Sequence, residues 1–240
     1  MAIDVTLWRA ARKLCRDLES IQPVAPVTHV YNPLEYASRP HREYLRKYGA
    51  SKKRVVYLGM NPGPYGMAQT GVPFGTIRWV RDWMGIEKPV AKPELEHPKR
   101  PIQGFACERK EISGDRVWGA ISDHYGKPEK FFKSAFITNY CPLVFMEESG
   151  KNRTPDKLNK KQQGIIQEAC DHHLRSVIKT LSPEWVIGIG KFAEGKAASA
   201  LEGMDVKIGT VLHPSPASPI ANRGWAPQAS LQIRAMGLCK

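Results

Sequence analysis

Nowhere in the chain do two cysteines stand as a Cys-x-x-Cys pair. The five present (Cys15, Cys107, Cys141, Cys170 and Cys239) are odd in number and scattered. Neither a zinc site nor an iron–sulfur cluster is therefore expected, no cofactor is called for, and free thiols in a reducing compartment are the natural reading. No apolar run approaches the roughly 18 residues that a membrane span needs, and the N-terminus has no hydrophobic signal core, so a soluble intracellular protein without a membrane partner is expected. Lysine is absent from residues 54–75. That absence excludes the phosphate loop of nucleotide hydrolases, which requires Gly-Lys-Ser/Thr at a helix start. Acidic residues are scarce as well, 23 Asp plus Glu against 36 Lys plus Arg, for a formal net charge of +13 and a pI near 9.6. Such an excess favours a polyanionic partner, because each phosphate neutralised releases counterions. No internal repeat or linker interrupts the 240 residues, and 26.9 kDa fits one domain with a substantial core, read here as a monomer.

What the chain does have is concentrated in residues 54–75. Val55, Val56, Tyr57 and Leu58 form a short apolar run that reads as a buried strand. Four glycines and three prolines then fall between Pro62 and Gly75. Pro62 pushes Asn61 out of the helical region, so Asn61 leaves the strand end extended. Gly63, Gly66 and Gly71 permit close approach of a ligand, while the prolines stiffen the loop. Phe74, between Pro73 and Gly75, is placed as a stacking platform.

The remaining chain alternates strands and helices. Helical spacing of Leu7, Trp8, Ala11, Leu14, Cys15 and Leu18 predicts a helix over residues 4–20, with the first thirty residues as an N-terminal extension. Residues 41–48 and 77–84 read as short helices, 85–112 as a long proline- and charge-rich excursion, and 116–125 as a helix. Residues 131–140 are expected as the second strand. Thr154 is expected to cap, and Pro155 to open, the longest helix, running to Leu181. His172 and His173 lie side by side on it, about 100° apart, and so cannot share a metal. Residues 184–190 are strand three, 191–201 a helix, 206–212 strand four, and 226–238 the last helix. The Gly188-Ile-Gly190-Lys-Phe-Ala193 stretch resembles a dinucleotide fingerprint only superficially, since His213 follows the next strand where an acid is wanted. This pattern implies an α/β fold, a central four-stranded parallel sheet with helices on both faces, in three α/β/α layers. Asn61, Asn139, Lys191 and His213 each fall at the carboxyl end of a strand, where open parallel sheets bind ligands, so they point to one crevice.

The stretch Gly59-Met-Asn-Pro-Gly-Pro-Tyr-Gly-Met-Ala-Gln-Thr-Gly-Val-Pro-Phe-Gly75 resembles motif one of the single-strand-selective monofunctional uracil-DNA glycosylases. The second motif of that family is matched by His213-Pro-Ser-Pro-Ala-Ser-Pro-Ile-Ala-Asn-Arg-Gly-Trp225. The resemblance implies a glycosylase that hydrolyses the N-glycosidic bond of uracil, and of oxidised uracils or deaminated purines, in single- and double-stranded DNA. By the same resemblance Asn61 orients the water and His213 stabilises the uracil O2 as charge develops there. Asn139 reads the base, Phe74 stacks on it, and Met60, Gly63, Tyr65 and Met67 complete the uracil pocket. DNA contacts are implied for Lys191, at a helix N-terminus, and for Ser215, Pro216, Ala217, Ser218, Ile220, Asn222 and Arg223 in a wedge loop. Ala217 departs from the pattern, standing where relatives carry an arginine, which leaves Ile220 or Arg223 to compensate. DNA containing uracil or related damaged bases is the expected partner, in the nucleoid of a bacterial cytoplasm or in a eukaryotic nucleus. Two other classes fit the same residues, a damaged-DNA-binding protein with a weak site and a small-molecule nucleotide hydrolase.

Overall fold

The computed structural model describes residues 2–238. Its first helix, α1 (Ile3–Asp17), buries Leu7, Ala11, Leu14 and Cys15, which recur three or four apart as a 3.6-residue period requires. There follow β1 (Val27–Tyr31), α2 (Pro33–Tyr36), α3 (Ser38–Tyr48), β2 (Val55–Gly59) and α4 (Met67–Thr70). Beyond the proline-rich excursion come α5 (Ile112–Tyr125), α6 (Pro128–Phe132), β3 (Ala135–Asn139), β4 (Val144–Glu147) and β5 (Asn152–Arg153). The chain closes with α7 (Lys160–Leu181), β6 (Trp185–Ile189), α8 (Lys191–Ala200), β7 (Lys207–Val211), α9 (Pro219–Asn222) and α10 (Trp225–Ala235).

The expected parallel sheet is present, in the order β3-β2-β6-β7. Gly59 pairs with Asn139 and Ile189 with Val211, so the loops that leave these strands rise from one edge. Period-two alternation sets the layers. Phe136 and Thr138 share a cavity with Leu7 and Ala11 of α1, His41 and Leu45 of α3, and Val177 of α7. Ile137 turns the other way, into a cleft with Tyr57, Val117 of α5 and Ala229 of α10. Both faces are therefore covered, giving the three-layer α/β/α arrangement. Val56 and Leu58 are wholly buried, and each contributes roughly 1.5–3 kcal/mol by leaving water.

Several elements differ from the sequence reading. A second, antiparallel sheet of β1, β4 and β5 was not anticipated; its strands are short and polar-interrupted, and β5 has only two residues. Residues 131–140 are not one strand. Pro128 opens α6, and Phe131 and Phe132 end it by packing on Tyr57 and Trp118, and on Tyr48, respectively. Thr154 does not cap the longest helix. Pro155 opens a single 3₁₀ turn, Leu158 is extended, and the Asn159 side chain caps α7 by accepting the N–H of Gln162. Residues 78–83 form a π-helical turn, with the Met84 N–H reaching back to Trp79 O. The 85–111 excursion is anchored: Tyr31 donates its hydroxyl to Arg100 O, and Gln69 Oε1 accepts the N–H groups of Gln103 and Gly104. Cys15, Cys107, Cys141 and Cys170 are buried free thiols, while Cys239 lies outside the described residues. No helix among the described residues is long and apolar enough to cross a membrane.

Candidate active site

All four strand-end residues lie along the one edge from which β2, β3, β6 and β7 lead out. Asn139 ends β3, 8% exposed, with its Nδ2 against Met67 Sδ at 3.3 Å and its Oδ1 buried without any partner. Orphaned buried acceptors are rare because leaving one unpaired costs roughly 1–3 kcal/mol, so this oxygen is arranged for a donor that a ligand brings. Behind the amide lies a cavity of about 30 Å³ that His41, Met67, Thr138 and His173 help to line. Burial holds both imidazoles neutral, their pKa values pushed down to about 4.

Phe74 occupies a positive φ of 56°, a strained conformation for a residue with a side chain. Its carbonyl accepts the Thr76 N–H, and Gly114 of α5 lies close against that carbonyl, so the surroundings hold the strain in place. The ring reaches Gly59, where a Cβ would meet Phe74 Cε2 at 2.7 Å. Asn61 donates its Nδ2–H to Leu143 O at 3.1 Å, which fixes the amide and leaves Oδ1 as an acceptor for water. Asn152 braces the same loop by donating to Pro62 O.

His213, just beyond β7, packs against Gly190, where a Cβ would meet its own Cβ at 3.0 Å. Gly190 has φ +94°, a conformation that favours glycine, and its missing side chain leaves room for the histidine. His213 Nδ1 accepts the Ser215 N–H, which places the ring proton on Nε2. Burial lowers the imidazole pKa from its ordinary value and keeps the ring neutral. This edge thus holds a neutral N–H donor, an unpaired amide oxygen, an amide anchored through its Nδ2 with its Oδ1 left as an acceptor, and an aromatic face.

Lys191 is a correction to the convergence expected from the sequence. It opens α8, but its side chain is 83% exposed and ion-paired with Glu194 at 2.7 Å, on the rim and not in the pocket. Met60 lends its carbonyl to the Cys141 N–H. Two guanidiniums, those of Arg100 and Arg109, lie 5.4 and 5.3 Å from the ring centre of Tyr65, whose hydroxyl accepts an N–H from Arg109. Among the described residues neither arginine makes a salt bridge. In the second motif, Ser215 Oγ accepts the Ala217 N–H, Ser218 caps α9, and Asn222 donates to Pro216 O. Ile220 is 54% exposed, and Ala217, Asn222 and Arg223 are exposed beside it.

Sequence reasoning missed two residues at this edge. Glu111 lies against Gly63 and Gly66, where a Cβ on either glycine would collide with its carboxyl group. Its Oε2 is buried without a partner, and burial pushes its pKa up to about 7, opposed by the peptide N–H groups of Tyr65 and Gly66. Arg116 donates to Pro214 O at 3.0 Å and to Asn222 Oδ1 at 2.9 Å. The only sequence signal for either was a charged residue at the start of a helix.

A family model described as the uracil DNA glycosylase superfamily matches residues 46–231. The single-strand selective monofunctional uracil DNA glycosylase of Mus musculus is 44% identical over 228 residues, which cover 94% of this chain and 82% of that one. The protein of the same name from Bos taurus is 45% identical, covering 94% and 84%. The chain belongs to the single-strand selective monofunctional uracil-DNA glycosylase family. A likeness of fold is found as well: the crystal structure of SMUG2 from Pedobacter heparinus aligns with a TM-score of 0.66 at 18% identity, covering 95% of this chain and 97% of that one.

Proposed function

We propose that the protein is a monofunctional glycosylase that removes uracil from DNA and leaves an abasic site. The observation that carries the reading is the buried, unpartnered Oδ1 of Asn139 next to the Phe74 ring. Uracil supplies the missing partner through its N3–H and offers O4 to the amide N–H₂, while its flat face meets the ring. Met60, Gly63, Tyr65 and Met67 complete the pocket wall.

The C1′–N1 bond breaks with its electron pair going to the base, which leaves as a uracil anion, and a deoxyribose cation remains. His213 Nε2–H donates to O2 as charge gathers there, stabilisation present in the transition state and weak in the ground state. Asn61 Oδ1 accepts a hydrogen bond from the water that attacks C1′; an amide is a feeble base, and the cation demands little activation. The proton released ends on uracil or in solvent. No lysine in motif one is available to attack the sugar, which supports hydrolysis without a covalent intermediate.

Uracil in a duplex must leave the stack before it can enter the pocket, a step glycosylases share as a class. Exposed Ile220, with Ser215, Pro216, Ala217, Ser218, Asn222 and Arg223 around it, would fill the vacated space and hold the strand. Lys191, Arg100 and Arg109 provide cationic groups for phosphates, Tyr65 sitting beside the two arginines. Oxidised uracils and deaminated purines in either strand state are included in the proposed range. Packing of α1 along α7 supports one glycosylase domain over 1–240, and a single copy supplies every group named. The enzyme would act wherever the cell keeps its DNA. Incubation with a uracil-containing oligonucleotide, followed by alkali, should cut the strand at uracil; an intact strand would defeat the proposal.

A further inference from the structure

The first two turns of α5 touch both catalytic loops. On one side, the Glu111 carboxyl group lies against Gly63 and Gly66 of the Asn61 loop. Asp115 Oδ1 accepts N–H and O–H donors from Trp79 at 3.0 Å and Thr76 at 3.1 Å, and Trp118 donates to Pro73 O at 3.1 Å. On the other side, Arg116 reaches the His213 loop. Its Nη1 serves Pro214 O at 3.0 Å and Ser215 O at 3.4 Å, and its Nη2 serves Asn222 Oδ1 at 2.9 Å. A guanidinium has donors enough, in a fixed plane, to hold three oxygens at once. Pro214 and Ser215 directly follow His213, and Ser215 is the residue whose N–H sets the His213 tautomer.

We propose that the start of α5 is a strut fixing the spacing of the Asn61 and His213 loops, with Glu111 and Arg116 as its positioning residues. The proposal rests on the glycosylase reading for its chemistry, since water and leaving group must be addressed from opposite sides of one sugar. A helix is suited to this task because its hydrogen-bonded turns do not stretch, so a shift at one loop is carried to the other. The strut also links wedge to chemistry: DNA pressing on residues 214–222 pulls on Arg116, and thereby on the loop that holds the water.

Two measurements test this, one of which needs no activity. Amide hydrogen exchange in Arg116→Ala should quicken across 62–66 as well as 214–222, and Glu111→Gln should show the reciprocal spread. Faster exchange confined to the loop that lost its own contact overturns the strut, whether or not the protein is a glycosylase. Single-turnover uracil release should fall about 10- to 100-fold in each variant while oligonucleotide affinity holds within about threefold, the pattern of misplacement and not of lost binding. The double variant should be no slower than the worse single one by more than about threefold, because both sever one link. Losses that multiply, or release at the wild-type rate in both singles, also overturn it. Added guanidinium should restore part of the Arg116→Ala rate and none of that of Asn61→Ala; no restoration argues against the role of Arg116. If Arg116→Ala does not fold, Arg116→Lys, which keeps the charge but not the planar fork, is read in its place. A wild type that binds DNA and releases no uracil defeats the glycosylase reading alone, and the exchange result still stands.

Discussion

The Asn139 carboxamide sits where a side chain on Gly59 would begin, the two residues being paired across β3 and β2. The pocket therefore exists because one position of a buried strand has no side chain. Gly59→Ala should cost roughly 1–3 kcal/mol of stability by forcing a methyl group against Asn139 and Phe74, leave DNA affinity near wild type, and slow uracil release by about 10²-fold through displacement of the amide and of Phe74. Single-turnover rates beside a thermal melt check this; an unaffected rate would mean that the pocket lies elsewhere.

Asn139 itself carries the choice of base. Cytosine reverses both groups that uracil shows to the amide, and two mispaired buried groups amount to discrimination of roughly 10²–10⁴-fold. Asn139→Asp should abolish uracil release, because an ionised carboxylate repels O4. Weak cytosine release is expected where the desolvated pocket keeps that carboxyl protonated. Paired assays on uracil and cytosine oligonucleotides decide it, and undiminished uracil release would assign the reading to another residue.

His213 predicts both a loss and a pH profile. His213→Ala should cost on the order of 10²–10³ in rate, by removal of the donor to a developing anion. In the wild type the rate should be flat well above neutrality and decline on acidification, first as Glu111 takes up a proton near pH 7 and then as His213 titrates below the ordinary histidine value. For His213 the sign for stability is the same: a depressed folded-state pKa contributes stability above the unfolded value, and this is lost as pH falls through the folded one. A rate that rises on acidification would show the imidazolium to be the active form.

Binding should weaken steeply with salt, given a net charge of +13. Arg100→Ala and Arg109→Ala should each lessen the slope of log affinity against log salt by about 1, equally for uracil-containing and undamaged strands. Fluorescence anisotropy over a salt series measures the slopes. Unchanged slopes would remove the arginines beside Tyr65 from the DNA path.

The parallel sheet was legible because buried parallel strands read as apolar runs, and Val55–Leu58 is one such run. The placement of Asn61, Asn139 and His213 at one edge was legible because each follows an apolar run that reads as a parallel strand. Glu111 and Arg116 were not, since their roles depend on backbone atoms of loops remote in sequence, which leave no trace in residue type. The exposed course of the Lys191 side chain was not legible for a related reason: position on a strand end fixes where a side chain starts, while a neighbouring Glu194 decides where it goes. Phe131 misled because an aromatic pair suits either a strand or a packed helix end, and Pro128 was the overlooked signal.

Leu143, whose carbonyl steadies Asn61, immediately precedes β4, and β4 is held along its edge by β1, with Tyr31 opposite Val144. The superfamily match begins only at residue 46. A chain trimmed to that match would retain every residue assigned a chemical role and still lose the strand that seats the Leu143 carbonyl. The water-orienting amide would then be free to rotate. Because trimming also strips the α1 and α3 residues from the core, it should lower both the melting temperature and turnover, and a shortened chain that keeps both would show that Asn61 needs no such seat.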